Sequence, residues 1–226
     1  MKSLFHCQGF KLRILNLVIF ILLSIFTHSS WAVYNLEVKG GYENWKTGLG
    51  GDTNAVVGGV GIGYYQEKYF AGGGFVLGDY VLNDDDDKTI SRKDLDLVIG
   101  YHVDSQWSLF TGYRFNRTNF SSQDTPSLNK RENTLGFGLG ASFKVPLAKS
   151  MVAFGTAAIS GLYSYNNFDE SGTGYSAGTE GGLLYSINPK TSVAFRVKYQ
   201  TSKIDYDPGE WSHSYIRLGA HLGYLF

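Results

Sequence analysis

Alternate residues of this chain separate by polarity, and that two-residue period constrains its fold more than any other feature. The C-terminal segment is the clearest case. Ile216, Leu218, Ala220, Leu222, Tyr224 and Phe226 share one parity, and Arg217, Gly219, His221 and Gly223 the other. Successive side chains of an extended strand point to opposite faces, so this segment reads as a strand with one apolar face and one polar face. Leu95, Leu97, Ile99, Tyr101 and Val103 alternate in the same way with Asp94, Asp96 and His102. Leu135, Phe137, Leu139, Ala141 and Phe143 alternate with Thr134, glycines and Ser142. Val193, Phe195, Val197 and Tyr199 alternate with Arg196, Lys198 and Gln200.

Extended along the chain, the period predicts ten strands: 33–46, 53–65, 69–82, 90–103, 107–120, 131–145, 151–166, 175–187, 192–205 and 213–226. In 69–82 and 151–166 both parities carry apolar residues. The more polar parity there puts Asp79, Thr156 and Ser160 on the polar face. The connectors alternate too. Gln66–Lys68, Asp104–Gln106, Pro146–Ser150 and Asn188–Thr191 are tight, whereas 47–52, 83–89, 121–130, 167–174 and 206–212 are polar and mostly longer. All four prolines are expected in turns.

Composition fits this reading and excludes others. Mean hydropathy is −0.14, too low for a bundle of apolar helices of about 20 residues each. Aromatics reach 15% and glycines number 29, which does not suit a disordered chain. Formal net charge is zero, without the basic excess of a nucleic-acid binder.

The first 32 residues read as an export signal. Lys2, Lys11 and Arg13 precede a 13-residue apolar run, Ile14 to Phe26, shorter than the roughly 20 residues a spanning helix needs. Ser30-Trp31-Ala32 places cleavage after Ala32; the alternative is an uncleaved anchor. Cys7, the only cysteine, lies before that run. Residues 33–226 then have no thiol for a disulfide, a nucleophile or a cysteine metal site. Their 17 bases and 20 acids give a formal charge of −3.

Aromatics gather near strand ends. Tyr101, Trp107, Phe143, Tyr185, Phe195, Tyr224 and Phe226 lie toward the short turns; Tyr42, Tyr80, Phe115, Tyr163, Tyr165, Tyr175 and Tyr199 lie toward the loops. Two aromatic girdles around an aliphatic band, an even strand count and one set of short turns predict an all-β, antiparallel up-and-down transmembrane barrel. A periplasmic sandwich or soluble barrel is the alternative.

On these residues the chain resembles the small bacterial outer-membrane β-barrel proteins, of the OmpA/OmpX/opacity-like kind, over the whole of 33–226. The terminal alternation ending in Phe226 is the most specific element. The resemblance implies that Leu222, Tyr224 and Phe226 form a membrane-insertion signal read by the outer-membrane insertion machinery. It also implies an outer-membrane location, contact with outer-membrane lipid and lipopolysaccharide, and a monomer. Many members carry eight strands, so eight is the alternative to ten. Ten would match the omptin proteases or Opc-type adhesins in strand number only.

With the apolar face toward lipid, the other face looks into the lumen. It is expected to carry Lys39, Arg92, Arg114, Lys144, Arg196, Lys198 and Arg217 with Glu37, Glu43, Asp79, Asp94, Asp96, Glu132 and Glu180. Charges in a narrow lumen must pair or suffer desolvation, so a balanced set predicts an ion-paired plug, with a small conducting path as the alternative. Strand offsets put Glu37, Arg114, Glu180, Arg196 and Arg217 nearest mid-depth.

No motif of an enzyme stands out, and no cofactor is expected. His213 lies close in sequence to Asp205, Asp207, Glu210, Ser212 and Ser214, which could form a hydrolytic set at the rim. The Asp–His and Ser–His–Glu patterns of omptins and lipid A deacylases do not transfer residue by residue, and a solvated rim histidine is expected. Asp84, Asp85, Asp86 and Asp87 are a weak candidate for Ca²⁺ or Mg²⁺ and read first as a solvated loop tip. The paired glycines near 59–63 and 136–140 lack a phosphate-loop pattern. The expected function is that of a non-enzymatic outer-membrane protein with a structural, surface-interaction or small-permeability role. A rim hydrolase acting on lipid A or peptides and a narrow passive channel are the alternatives.

Overall fold

The computed structural model describes residues 32–47, 51–82, 88–122, 129–207 and 209–226. The expected export signal, apart from Ala32, and the Asp84–Asp87 run lie outside the described residues. Ten strands are formed: β1 (Val33–Thr47), β2 (Gly51–Tyr65), β3 (Tyr69–Leu82), β4 (Lys88–His102), β5 (Trp107–Ser122), β6 (Lys130–Ala148), β7 (Met151–Asn166), β8 (Ser171–Ser186), β9 (Thr191–Tyr206) and β10 (Gly209–Leu225). Each pairs antiparallel with its neighbours in sequence, and β1 pairs with β10 to close the barrel. Closure satisfies the backbone donors and acceptors that an open edge would leave bare. The seam runs from Asn35 opposite Leu225 to Thr47 opposite His213. At its turn-side end Tyr34 and Phe226 exchange both backbone hydrogen bonds.

The outer surface carries a clear band. On one strand after another the outward residues change from apolar to polar at the loop-side edge: Tyr42 to Asn44, Val56 to Asn54, Leu77 to Asp79, Leu95 to Lys93, Phe115 to Arg117, Leu135 to Asn133. Leu222, Tyr224 and Phe226 face outward at the opposite edge, and the Phe226 ring stacks on Tyr34 and Tyr224. A bilayer needs only about 9–11 residues per tilted strand, and these have 14 to 19. The excess extends past the band at the loop side as a polar collar.

That collar explains most departures from expectation. The segments 47–52, 167–174 and 206–212 were expected as loops, yet β2 begins at Gly51, β8 at Ser171 and β10 at Gly209. Alternation marks contact with an apolar phase, and strand pairing continues into water after that contact ends. Asp79 is a correction. It was expected inside, but it is exposed on the outer face, and Tyr80, assigned to the outer girdle, is buried inside. Asp79 sits where the outer face turns polar, so polarity at that depth cannot separate inside from outside. Thr156 and Ser160 do face the lumen. Pro146 was expected in a turn and instead lies within β6, where the register with β7 shifts between Pro146 and Ala148. A bulge near a strand end tolerates a residue without an N–H.

Candidate functional site

The inward parity gathers charge at mid-lumen. There β1, β4 and β10 bring Glu43, Arg92, Asp94 and Arg217 together. Arg217 Nε donates to Glu43 Oε2 at 2.6 Å, and Arg217 Nη2 lies 3.4 Å from Asp94 Oδ2. Arg92 Nε donates to Asp94 Oδ1 at 3.0 Å, and its Nη1 lies 3.5 Å from Glu43 Oε1. The ring alternates acid and base. Glu43 also accepts the Tyr80 hydroxyl at 2.7 Å, and Asp94 accepts the Asn116 amide. Glu43 is 0% exposed and Arg92 4%, a burial that charged groups tolerate only when paired and hydrogen-bonded.

An aromatic layer covers this ring on the loop side. The Arg92 guanidinium lies 4.8 Å from the Tyr215 ring centre and 5.4 Å from that of Trp45, a cation–π geometry on both. Trp45, Tyr80, Ile90, Trp211 and Tyr215 form one buried cluster with Ala55 and Val57. His213 is part of this layer. Its ring meets Trp45 edge-on at 5.8 Å and Trp211 at 5.4 Å. The expectation of a solvated rim histidine is therefore corrected. Ser212 and Ser214 have the opposite, outward parity, and His213 Nδ1 is buried without a hydrogen-bond partner.

Toward the turns the lumen widens. Arg196 Nη1 donates to Glu180 at 2.9 Å, and Arg196 Nη2 lies 3.4 Å from Glu37, which also has Lys39 at 3.6 Å. Arg114 Nε donates to Asp96 at 2.5 Å, with Lys198 4.0 Å from the same carboxylate. Arg114 also donates to Gln200, which accepts the Tyr215 hydroxyl at 2.9 Å, and so links the two layers. Glu37, Lys39, Asp96, Glu180, Arg196 and Lys198, with the turns at Gln66–Lys68 and Asp104–Gln106, line a cavity of about 960 Å³. Its β2–β3 wall includes Gly58, Gly63, Gly72, Gly73 and Gly74. A Cβ on Gly74 or Gly61 would come within 2.7 or 2.8 Å of the Lys39 ammonium, so these glycines leave room for Lys39. At the mouth Asp104 accepts the backbone N–H groups of Gln106 and Trp107, which hold its carboxyl below the ordinary aspartate range.

Of the five residues placed nearest mid-depth, each faces inward and each is ion-paired. They do not form one set. Glu37, Glu180 and Arg196 line the turn-side cavity, Arg217 belongs to the buried ring, and Arg114 bridges the two. The aromatic layer was missed. Trp45 shares parity with Glu43, and Trp211 and Tyr215 share it with Arg217, so their direction was readable; the inward set was drawn from charged residues alone. Among the described residues no group of three or more His, Cys, Asp or Glu is placed to hold a metal ion.

No family model matches this sequence, and no curated protein matches it. Solved structures do. The outer-membrane protease OmpT of Escherichia coli superposes with a TM-score of 0.54 at 12% identity, over 86% of this chain and 96% of that one. The β-domain of the Bordetella autotransporter BrkA gives 0.49 at 13% identity over 86% and 98%. Neisserial surface protein A gives 0.47 at 11% identity over 84% and 96%. At such identities the likeness is one of fold. Band, closure and the OmpT likeness agree that the chain has the fold of the small bacterial outer-membrane β-barrels.

Proposed function

We propose that this chain is a bacterial outer-membrane protein with a closed lumen and a non-enzymatic structural or surface-interaction role. It is exported by its N-terminal signal, inserted by the outer-membrane machinery and monomeric. The carrying observation is the loop-side half of the lumen, where the Glu43–Arg92–Asp94–Arg217 ring and the tryptophan–tyrosine layer bury charge and ring together. A conducting pore needs a hydrated path lined by one sign of charge or by carbonyls. Here acid and base alternate and the aromatic layer lies directly over them. The OmpT likeness supplies a fold, and His213 between two tryptophans gives no reason to assign that protein's protease activity here.

Planar-bilayer recording tests the reading. Purified protein is expected to give no discrete conductance steps, while Arg92→Ala with Trp45→Ala opens measurable ones. Steps from the unaltered protein would overturn it. So would cleavage of a peptide library or release of acyl chains from lipid A.

A further inference from the structure

The outward cations of the loop-side collar fall into two kinds. On β1 and β9 they are neutralised: Lys46 lies 3.4 Å from Asp52, and Lys203 lies 2.6 Å from Glu210. On β4–β6 they are not. Lys93 and Arg117 are direct cross-strand partners on the outer face, and Arg131 stands opposite Asn119, two residues beyond Arg117. No carboxylate among the described residues comes within 4 Å of any of the three. Asp79, diagonal to Lys93 on β3, shares this face without pairing to it. Like charges placed directly opposite destabilise a sheet, so this arrangement favours an anionic partner.

The surroundings say which kind. Asn133 accepts from Arg117 Nε at 2.9 Å, and Asn119 accepts from Arg131 Nε at 3.2 Å and donates to Ser91 at 3.1 Å. These amides hold both guanidiniums through Nε, so the terminal nitrogens are not used in those bonds. The row below is Leu95, Phe115, Leu135 and Tyr163, paired strand to strand. It is the edge of the apolar band, and the Arg117 guanidinium lies 5.7 Å from the Phe115 ring. A cationic row immediately above an apolar row matches an amphiphile whose phosphates and acyl chains share one molecule. Guanidinium and ammonium groups are suited to phosphate, arginine with a fork of donors.

We propose that Lys93, Arg117 and Arg131 form a binding site for the phosphates of a glycolipid headgroup, the lipid A portion of lipopolysaccharide, with its acyl chains laid over Leu95, Phe115 and Leu135. The site rests on the outer-membrane reading above, because only there does a phosphorylated glycolipid form the leaflet at the loop side.

Native mass spectrometry of the detergent-purified protein, titrated with diphosphoryl lipid A, tests the site. Removing a charge-assisted contact typically costs about tenfold in affinity. Lys93→Gln with Arg117→Gln is expected to weaken lipid A binding at least tenfold, and monophosphoryl lipid A binds the unaltered protein more weakly than the diphosphoryl form. Lys46→Gln with Lys203→Gln, which removes paired cations, leaves binding unchanged. Equal loss from both double variants would mean general charge attraction and would overturn the site. Undiminished binding by Lys93→Gln/Arg117→Gln would overturn it as well, as would displacement of lipid A by equimolar inorganic phosphate. Gel migration of boiled and unboiled samples keeps two failures apart: a variant that shifts on boiling yet binds no differently contradicts the site, whereas an unaltered protein that never shifts contradicts the barrel reading beneath it.

Discussion

Glu43 and Arg217 stand directly opposite each other across the β1–β10 seam, 174 residues apart in sequence, with Arg217 Nη2 2.5 Å from Glu43 Oε2. The ion pair thus joins the first strand to the last, where loop-closure entropy is largest. Removing one partner of a buried pair typically costs about 3–5 kcal/mol. Glu43→Gln and Arg217→Gln should each destabilise the barrel by that order in urea unfolding from lipid vesicles. The double variant should lose much less than the sum, since neither charge is left alone. Additive losses would contradict the pairing.

A milder coupling is expected at Glu180 and Arg196, whose side chains are 25% and 24% exposed beside the turn-side cavity. Solvent screens such pairs to about 1 kcal/mol or less. A double-mutant cycle with Glu180→Gln and Arg196→Gln should return a coupling of that size, clearly below that of Glu43 with Arg217. A coupling equal to the buried pair's would contradict a hydrated turn-side half.

Glu132 provides the opposite case. It is 2% exposed, and among the described residues no base lies within 4 Å of its carboxylate; Thr134 Oγ1 donates to it at 3.4 Å. A buried carboxylate without a direct ion-pair partner costs stability. Glu132→Gln is therefore expected to leave the urea midpoint unchanged or raise it, where Glu43→Gln lowers it. A loss above about 2 kcal/mol, the scale of a charge-assisted hydrogen bond, would reveal a favourable role for the charge.

Of this arrangement, the lipid-facing band was the most legible part of the sequence, because an apolar phase imposes a strict period on every strand crossing it. The inward partners could be named by parity, Glu37 and Arg196 among them. Their pairing could not, because it depends on the stagger between strands, which the period leaves free. Asp79 shows the limit most plainly. At the band edge the outer face turns polar while the inner face carries the aromatic layer, so polarity no longer marks the two sides and Tyr80 was put on the wrong one. Trp45 and Trp211 show another: both have the inward parity, yet neither the girdles nor the set of lumen charges included them.

The turn at Asp104 carries a pH dependence outside the band. Its carboxylate accepts two backbone N–H groups, which lowers its pKa. A depressed folded pKa means that the turn's stabilisation is fully present above the ordinary aspartate value of about 3.9 and is lost as pH falls through the lower folded value. NMR titration should show the Gln106 and Trp107 amides shifting together with Asp104, below pH 3.9. A midpoint at or above that value would contradict the hydrogen bonds.

The most direct test of the central claim, a lumen hollow at the turn end and sealed at the loop end, is thiol accessibility. In a Cys7→Ser background, Val98→Cys lies on the cavity wall and Ile204→Cys replaces an inward residue that is 0% exposed. With the folded, heat-modifiable protein in lipid micelles, a small charged thiol reagent is predicted to label Val98→Cys fully and to leave Ile204→Cys unmodified. Comparable labelling rates at the two positions would mean a continuous aqueous bore and would contradict the sealed lumen.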